Sequence, residues 1–277
     1  MRTFRKFLKK PLVVASVILL LTFSLMAIFA PLVTTYAFDL QDIDHRLETA
    51  TSIHWMGTDS LGRDLYSRIV YGARMSLSVG LLTALLSITL GTVVGAVAGY
   101  RGGLIDSLLM RIVDLFTIFP SVLTAILLTV VLGRGLSGIL ISLVLTSWVL
   151  HARLVRNLMI KARGLPYVES ARAMGLSGLP IVVKHILPNL MGPMLVSLTY
   201  QIPNNIMAES FLSFIGLGLQ PPLSSWGILA NEGFRAMKSY PHLTLYPGLA
   251  LFLTLTALQI LGDALRDGLD PHSRKLL

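Results

Sequence analysis

Six runs of sequence without a single Asp, Glu, Lys or Arg constrain most strongly what this 277-residue chain can fold into. The hydrocarbon core of a bilayer is about 30 Å thick, and an α-helix rising about 1.5 Å per residue needs about 20 apolar residues to cross it. Each run has roughly this length, and the runs lie at residues 12–33, 75–100, 115–133, 135–152, 186–208 and 239–262. The pattern predicts an all-α membrane protein with six transmembrane helices.

The composition excludes several classes of protein. Only 13% of the residues are charged and 54% are hydrophobic, whereas about a quarter of the residues of a soluble globular domain are charged. An ordinary cytosolic enzyme is therefore excluded. Because the chain has no cysteine, a disulfide scaffold, a thiolate zinc site and a cysteine nucleophile are excluded as well.

Two apolar stretches need separate interpretation. The first run follows the basic segment MRTFRKFLKK, as in a secretory signal, but signal h-regions have only about 7 to 15 residues. This run is longer and lacks an A-x-A exit, so we predict an uncleaved membrane anchor. Residues 210–231 are also uncharged, but they contain Gly and Pro residues that break helices, and we predict irregular structure on the outer side.

The basic residues predict the orientation of the spans, because cytosolic loops carry an excess of Lys and Arg. With six spans, both termini lie on one side. That side receives 16 of the 23 basic residues and the opposite side receives 7. We therefore predict a multi-pass protein of the plasma (inner) membrane with both termini in the cytosol. The same distribution explains the net charge of +9 without any nucleic-acid partner.

A ridge of small side chains is predicted along the second span. Small residues recur there every fourth position, which places them on one face of a helix and allows another helix to approach closely. The approaching helix belongs either to the same chain or to a partner subunit. The ridge residues are Thr83, Ser87, Gly91, Gly95 and Gly99.

The fifth span carries polar side chains that are costly inside a membrane unless they face protein or water. They are Gln201, Asn204, Asn205 and Glu209, and Pro203 between them is expected to kink the helix. These residues form either the wall of a water-filled path or a hydrogen-bonded helix contact. Glu209 also has a simpler interpretation, as a solvated residue near the outer interface.

The loop at residues 169–189, between the fourth and fifth spans, has the punctuation of two short helices. Gly175 is expected to end the first helix, Pro180 to lie in the first turn of the second, and Pro188 to stop it. Apolar residues in this loop predict a patch exposed to water, which usually marks a docking surface for a partner. The patch residues are Met174, Leu176, Leu179, Ile181 and Val182.

The same loop resembles the EAA loop of ATP-binding-cassette (ABC) importer permeases. The matching residues are Glu169, Ala171 and Gly175, followed by Ile186, Leu187 and Pro188, with Ser170 in place of the middle Ala. Four further blocks, in order, are similar to the C-type membrane subunit of dipeptide, oligopeptide and nickel importers. They read MGTDSLGRDLYSRIVYGARMSL, GGLIDSLLMRIVDLFTIFP, AESFLSFIGLGLQPPLSSWG and LGDALRDGLDP.

The resemblance implies the type I ABC importer permease fold. Its parts would be an N-terminal helix and outer loop (1–75), a transmembrane core (76–265) with the coupling loop 169–189, and a cytosolic tail (266–277). The implied partners are a homologous second permease subunit, two ABC ATPase subunits, an extracytoplasmic substrate-binding protein and membrane lipid. The implied cargo is di- or oligopeptides, with nickel or another small ligand as the alternative.

The ATP that drives such an importer must be hydrolysed by another subunit. A P-loop needs Gly directly before Lys to hold phosphates, and no lysine in this chain follows a glycine. We therefore expect no bound cofactor and no enzymatic activity in this chain, with ATP hydrolysed by the partner ATPases. The six histidines show no i, i+3 or i, i+4 pairing, so no metal site is expected.

Two other classes are weaker alternatives. Residues 135–138 read GLSG, which matches the nucleophile motif of rhomboid-type intramembrane serine proteases, but the sixth span offers only His242, at its edge, as the base. A secondary transporter or channel would leave the docking loop unexplained and would favour intramembrane ion pairs or an internal repeat. Neither feature is visible in the sequence.

Overall fold

The computed structural model describes residues 10–269, and these residues form helices joined by loops. In this range the structure has no β-sheet, and its one isolated bridge joins Thr58 to Asp64. The all-α prediction is confirmed. The helices are α1 (Pro11–Ile28), α2 (Ala30–Val33), α3 (Leu65–Arg101), α4 (Gly103–Leu115), α5 (Ser121–Leu132), α6 (Leu136–Ala162), α7 (Pro166–Ala173), α8 (Gly178–Pro180), α9 (Leu187–Phe214), α10 (Trp226–Phe234) and α11 (His242–Leu269), with a 3₁₀ turn at Ile43–His45 and a π-helical turn at Ile181–Ile186.

Five helices in the described range are long and apolar enough to cross a membrane. They contain the first, second, fourth, fifth and sixth predicted spans, and they lie at Pro11–Ile28, Leu65–Arg101, Leu136–Ala162, Gly178–Phe214 and His242–Leu269.

The third predicted span, residues 115–133, is not a single membrane-crossing helix. It forms α5, which has 12 residues and is about 18 Å long at about 1.5 Å per residue, preceded by a turn. Pro120 explains the difference, because proline lacks an N–H and disfavours helical backbone in the residue before it. Helix α4 accordingly ends at Leu115, and α5 begins directly after Pro120.

Helix α3 begins ten residues before the predicted second span. Asp64 caps it, since its carboxylate accepts a hydrogen bond from the backbone N–H of Ser67 at 2.8 Å. The helix ends at Arg101, and the next residue, Gly102, has a φ of +68°, which suits glycine. The boundary drawn between residues 75 and 76 therefore falls inside a continuous helix. At the other end, α11 includes the start of the predicted tail, and residues 270–277 of that tail lie outside the described range.

The small-residue ridge of α3 packs against α6 of the same chain. A Cβ on Gly91 would lie 2.7 Å from the carbonyl oxygen of Trp148, and one on Gly95 would lie 2.5 Å from that of Ala152. Gly99 is in similar contact with the backbone one turn further along. Of the two occupants that the sequence leaves open, the structure thus places the chain's own helix here. All five ridge residues are buried, namely Thr83, Ser87, Gly91, Gly95 and Gly99.

Helix α9 also packs against α3, nearer the beginning of α3 than the contact with α6. Gly80 allows this contact, because a Cβ there would meet the side chain of Ile206 at 2.4 Å. The helix continues through Pro203. Helices α3, α6 and α9 thus form the centre of the fold, with α5 packed on α6, and α1 and α11 packed against each other.

Candidate functional site

A cleft of about 520 Å³ lies between α5, α6 and α9. Three of the four polar residues predicted on the fifth span, Gln201, Asn204 and Asn205, line it. Thr146 and Ser147 of α6 add hydroxyl groups, and most of the remaining lining is apolar. The cleft therefore offers uncharged hydrogen-bonding groups beside apolar surface. Its other lining residues are Phe116, Thr117, Phe119, Ser121, Val122, Ala125, Leu143, Val149, Leu150, Arg153, Ala208, Phe211 and Leu212.

The amide groups of α9 differ in how firmly they are held. The Asn205 side-chain oxygen accepts hydrogen bonds from Gln201 Nε2 at 2.8 Å and from Ser147 Oγ at 3.1 Å, and Asn205 Nδ2 donates to the carbonyl of Gly80 at 3.4 Å. Asn205 is buried, whereas Asn204 beside it is exposed. Asn205 therefore joins three helices, while Asn204 presents its amide to the cleft.

Glu209 occupies a different place from the other three. It is fully buried and does not line the cleft, so its interpretation as a solvated residue near the interface was wrong. Its carboxylate accepts hydrogen bonds from the hydroxyls of Ser213 at 2.7 Å and of Ser76 and Ser210, each at 3.4 Å. Tertiary packing explains why Glu209 is buried. Helix α10 folds back over this end of α9, and a Cβ on Gly227 would lie 2.5 Å from the backbone of Ser210.

The turn between α4 and α5 contributes Phe116, Thr117 and Phe119 to the lining of the cleft. Arg153 of α6 donates through Nη2 to Asp114 Oδ1 at 2.8 Å and to Thr117 Oγ1 at 3.0 Å. About one turn further along α6, Arg156 makes a two-point contact with Asp106, with N–O distances of 2.5 and 2.6 Å. The Arg156 guanidinium holds the pKa of Asp106 below its ordinary value. The two ion pairs tie α4 to α6.

The loop at 169–189 begins as predicted, with a short helix that ends at glycine. Helix α7 ends at Ala173, and Gly175 has a φ of +83°, a conformation that side chains with a Cβ disfavour. The backbone N–H of Gly175 donates to Arg172 O at 2.9 Å, and that of Leu176 donates to Ala171 O at 3.2 Å. These bonds use carbonyls that the helix end would otherwise leave unpaired.

The predicted apolar patch is only partly exposed. Met174 and Leu179 are 72% and 74% exposed, and Leu176 is also exposed. Ile181 and Val182 are instead buried, so the patch is smaller than predicted. The structure adds Val183, which is about half exposed. We call Met174, Leu176, Leu179 and Val183 the loop patch.

The buried side of the loop forms one apolar cluster with the ends of α6 and α9. Ala171 and Ile186 belong to this cluster, together with Val155, Met159, Ala162, Val168, Ile181, Val182, Leu190 and Met194. Leu187 packs at its edge, and Glu169 is exposed. The loop is therefore anchored on α6 and α9, two of the helices that line the cleft.

The prediction that Pro188 stops the second helix of the loop is wrong. Pro188 lies in the first turn of α9, and a continuous helical segment runs over Gly178–Phe214. The first turn of a helix tolerates proline because the N–H groups there have no intrahelical acceptor. The wider π-helical turn Ile181–Ile186 lies directly before it and interrupts the regular hydrogen-bonding pattern.

A buried charge cluster that the sequence pattern does not predict joins the predicted outer loop to α3 and α10. Arg68 Nη1 donates to Asp59 and to Glu232, while Arg63 donates to the same two carboxylates at 2.7 and 3.2 Å. Asp59, Arg63 and Arg68 are buried. We call these four residues the outer charge cluster. It explains part of the MGTDSLGRDLYSR block, whose charges pair with a residue more than 160 positions away.

The same loop brings two histidines together that are scattered in the sequence. Their ring centroids are 6.5 Å apart, and the Nδ1 atom of each ring lies within hydrogen-bonding distance of a carboxylate oxygen, which accepts. His54 Nδ1 lies 2.9 Å from Asp64 Oδ1, and His45 Nδ1 lies 2.8 Å from Asp42 Oδ2. In the described range, no group of three His, Asp or Glu residues is arranged to hold a metal ion.

Comparison with known proteins decides the family. Residues 91–275 match the binding-protein-dependent transport system inner membrane component, and residues 1–49 match the N-terminal transmembrane domain of oligopeptide transport permease C. The chain belongs to this family of inner-membrane transport components. It is an integral membrane permease subunit. Membership of this family rules out the protease, secondary-transporter and channel alternatives.

Curated relatives match the permease over nearly its whole length. The dipeptide transport system permease protein DppC of Bacillus subtilis (strain 168) is 40% identical over 272 residues, which are 98% of this chain and 85% of the relative. OppC, the oligopeptide transport system permease protein of Escherichia coli (strain K12), is 40% identical over 274 residues. These are 98% of this chain and 90% of the relative. The glutathione transport system permease protein GsiD of Pectobacterium atrosepticum is 39% identical over 268 residues, 96% of this chain and 89% of the relative.

The fold also matches a solved structure. A chain of the MetNI methionine ABC transporter in inward-facing conformations aligns with a TM-score of 0.60 at 18% identity, covering 72% of this permease and 95% of that chain. At this identity the match shows the fold alone. The expected ABC importer permease fold is therefore confirmed, with the third span corrected as described above.

Proposed function

We propose that the permease forms half of the translocation path of an ATP-driven importer for di- or oligopeptides. The observation that carries the proposal is that one helical segment, Gly178–Phe214, joins the loop patch to the polar cleft. Its first residues contribute Leu179 and Val183 to the patch, and its middle contributes Asn204 to the cleft. About 25 residues separate the two sites, or about 38 Å of helix.

The chemistry of the cleft fits a peptide. Amide and hydroxyl groups can donate to or accept from the peptide backbone without selecting particular side chains, and the apolar lining tolerates varied residues. Relatives named for dipeptide, oligopeptide and glutathione transport support this cargo. A homologous second permease subunit would complete the path. Exposed apolar side chains on α5, including Leu127 and Val131, provide a surface for that subunit or for lipid.

The loop patch fits the surface of an ABC ATPase. Apolar side chains exposed to water are unfavourable unless a partner covers them. We assign two ATPase subunits to the complex, one on this loop and one on the loop of the second permease. Glu169, Ala171, Gly175, Ile186, Leu187 and Pro188 form the coupling loop, and its buried cluster transmits movement to α6 and α9.

The remaining parts of the proposal follow from this arrangement. The loop patch, both termini and the partner ATPases lie in the cytosol, in agreement with the distribution of basic residues. An extracytoplasmic binding protein delivers the peptide to the opposite face, where the outer loop and α10 meet. The permease itself binds no cofactor, and ATP is used by the ATPase subunits.

The test is reconstitution of the complete complex in proteoliposomes with a fluorescent or radiolabelled dipeptide. We expect uptake that needs both ATP and the binding protein, and we expect the permease to copurify with P-loop ATPases. Nickel uptake by the same vesicles is measured in parallel. Nickel uptake without peptide uptake would contradict the peptide assignment, and purification without any ATPase would contradict the importer.

A further inference from the structure

Arg153 is the only charged side chain among the described residues that line the cleft. The other polar groups there are amides and hydroxyls. A peptide entering this cleft carries a free carboxylate, which is costly to desolvate without a positive partner. A single cation in an otherwise neutral cleft therefore selects the position of that carboxylate.

The hydrogen bonds of Arg153 leave much of its guanidinium available. Both bonds, to Asp114 and Thr117, come from Nη2. In the part of the chain that the structure describes, Nε and Nη1 donate to no protein atom. A guanidinium presents five N–H donors in a planar fork that matches a carboxylate at two points. The side chain is thus only partly used by the protein.

The ion pair with Asp114 is of a kind that exchanges easily. The side chains of Arg153 and Asp114 are 45% and 62% exposed, and exposed ion pairs contribute little to stability because water screens them. Asp114 also lies in the last turn of α4, where the negative end of the helix dipole disfavours a carboxylate. A substrate carboxylate can take its place at little cost.

We infer that Arg153 binds the carboxylate of the transported peptide, replacing Asp114 as its partner, at the end of the cleft nearest the coupling loop. This inference rests on the proposed function and names a specificity-determining residue for it. Asp114 pairs with the guanidinium only while the cleft is empty. The class of substrate that follows is a small peptide with a free C-terminal carboxylate.

Arg156 offers a matched control for the tie between α4 and α6. Its contact with Asp106 joins the same two helices, but Arg156 does not line the cleft. If Arg153 served only to hold α4 against α6, Arg156 would have the same effect on transport. The two arginines therefore separate a binding role from a structural one.

The absence of cysteine in this chain makes a chemical test possible. In the reconstituted complex, Arg153→Cys introduces the chain's only thiol, and trialanine serves as the probe. We expect kcat/KM for uptake to fall about 10-fold or more, the loss of one charge-assisted hydrogen bond. Modification with 2-aminoethyl methanethiosulfonate, which restores a positive charge, should recover most of the uptake. Methyl methanethiosulfonate, which adds no charge, should not, and the wild-type complex treated identically controls for the partner subunits.

Asp114→Asn tests whether the positive charge of Arg153 binds substrate or serves only to pair with Asp114. If Arg153 binds substrate, removing its competitor should leave kcat/KM at or above the wild-type value, and Arg156→Cys should lower it by less than about 3-fold. A loss in Asp114→Asn as large as in Arg153→Cys would overturn the inference, as would equal recovery with the neutral reagent. The proposed function fails separately, if the wild-type complex takes up no peptide at all.

The C-terminal amide of trialanine tests the carboxylate itself. Loading of the binding protein by each probe is measured first, by calorimetry. Arg153→Cys should leave uptake of a loaded amide within about 2-fold of the wild-type rate, and an equal loss for both probes would overturn the inference. If the amide does not load, the charge-recovery and Asp114→Asn results decide the question.

Discussion

Gly95 and Ala152 are so close that a single added methyl group cannot fit between their helices. A Cβ on Gly95 would lie 2.5 Å from the Ala152 carbonyl oxygen, and its other neighbours there also belong to α6. Since backbone atoms cannot rotate away as a side chain can, α3 and α6 would have to separate. This contact sets the distance between the helix that organises the fold and a helix that lines the cleft.

We predict that Gly95→Ala destabilises the permease by about 1–3 kcal/mol through overpacking. Gly164→Ala is the control, because no atom beyond the adjacent residues lies within 4 Å of a Cβ placed there, and we expect it to stay within about 0.5 kcal/mol of the wild type. Thermal unfolding in detergent measures both. Equal stability of the two variants would contradict the packing described here.

Removing one cation from the outer charge cluster should lower the stability of the permease. Arg68→Met leaves the buried Asp59 with Arg63 as its remaining cation, and we expect a loss of about 3 kcal/mol of stability. Adding Asp59→Asn should recover part of this loss, because it removes the buried charge that lost its partner. Lys10→Met, in an exposed pair, is the control and should change stability by less than about 1 kcal/mol. Chemical unfolding of the three variants measures the effects.

Replacement by Asp should have different effects at Leu179 and Ile181, which are two positions apart. The first substitution should weaken binding of the ATPase, and the second should destabilise the permease. Leu179 is 74% exposed, so Leu179→Asp should leave thermal stability unchanged but weaken copurification of the ATPase and ATP-driven uptake. Ile181 is fully buried, so Ile181→Asp should destabilise the permease itself by about 3 kcal/mol or more. Normal ATPase copurification with Leu179→Asp would argue against the loop patch as the docking surface.

The Asp42–His45 pair predicts a pH window for local order in the outer loop. Its hydrogen bond raises the pKa of His45 and lowers the pKa of Asp42. Because the pKa of His45 is raised, the pair's full contribution to local stability is present below the unfolded histidine pKa of about 6.5. This contribution is lost as pH rises through the folded pKa of His45. Because the pKa of Asp42 is lowered, its contribution to local stability is lost as pH falls through the folded pKa of Asp42.

Protection of residues 42–48 against amide exchange, corrected for intrinsic rates, should therefore decrease when pH is raised from 6 to 9. His45→Gln, which does not titrate, is the control and should show no such decrease. The same decrease in His45→Gln would assign the pH dependence to other groups of the loop.

Features of the site that depend on nearby residues were predicted from the sequence. The helix end at Gly175 follows from one residue's backbone preference, and the ridge from Thr83 to Gly99 follows from a four-residue period. Gln201, Asn204 and Asn205 could be recognised because polar groups are rare in apolar runs. Residues that act through distant partners could not. Arg153 is an example, since its partner Asp114 is 39 positions away.

Hydropathy, glycine and proline act over a few residues, so the sequence alone predicts which segments are apolar enough to enter a membrane and where the loop at 169–189 lies. The folded structure was needed to show that Glu209 is enclosed by serines, that Ile181 and Val182 are buried, and that Arg68 pairs with Glu232. Burial and charge pairing depend on which surfaces the folded helices bring together, and these contacts join residues far apart in the chain.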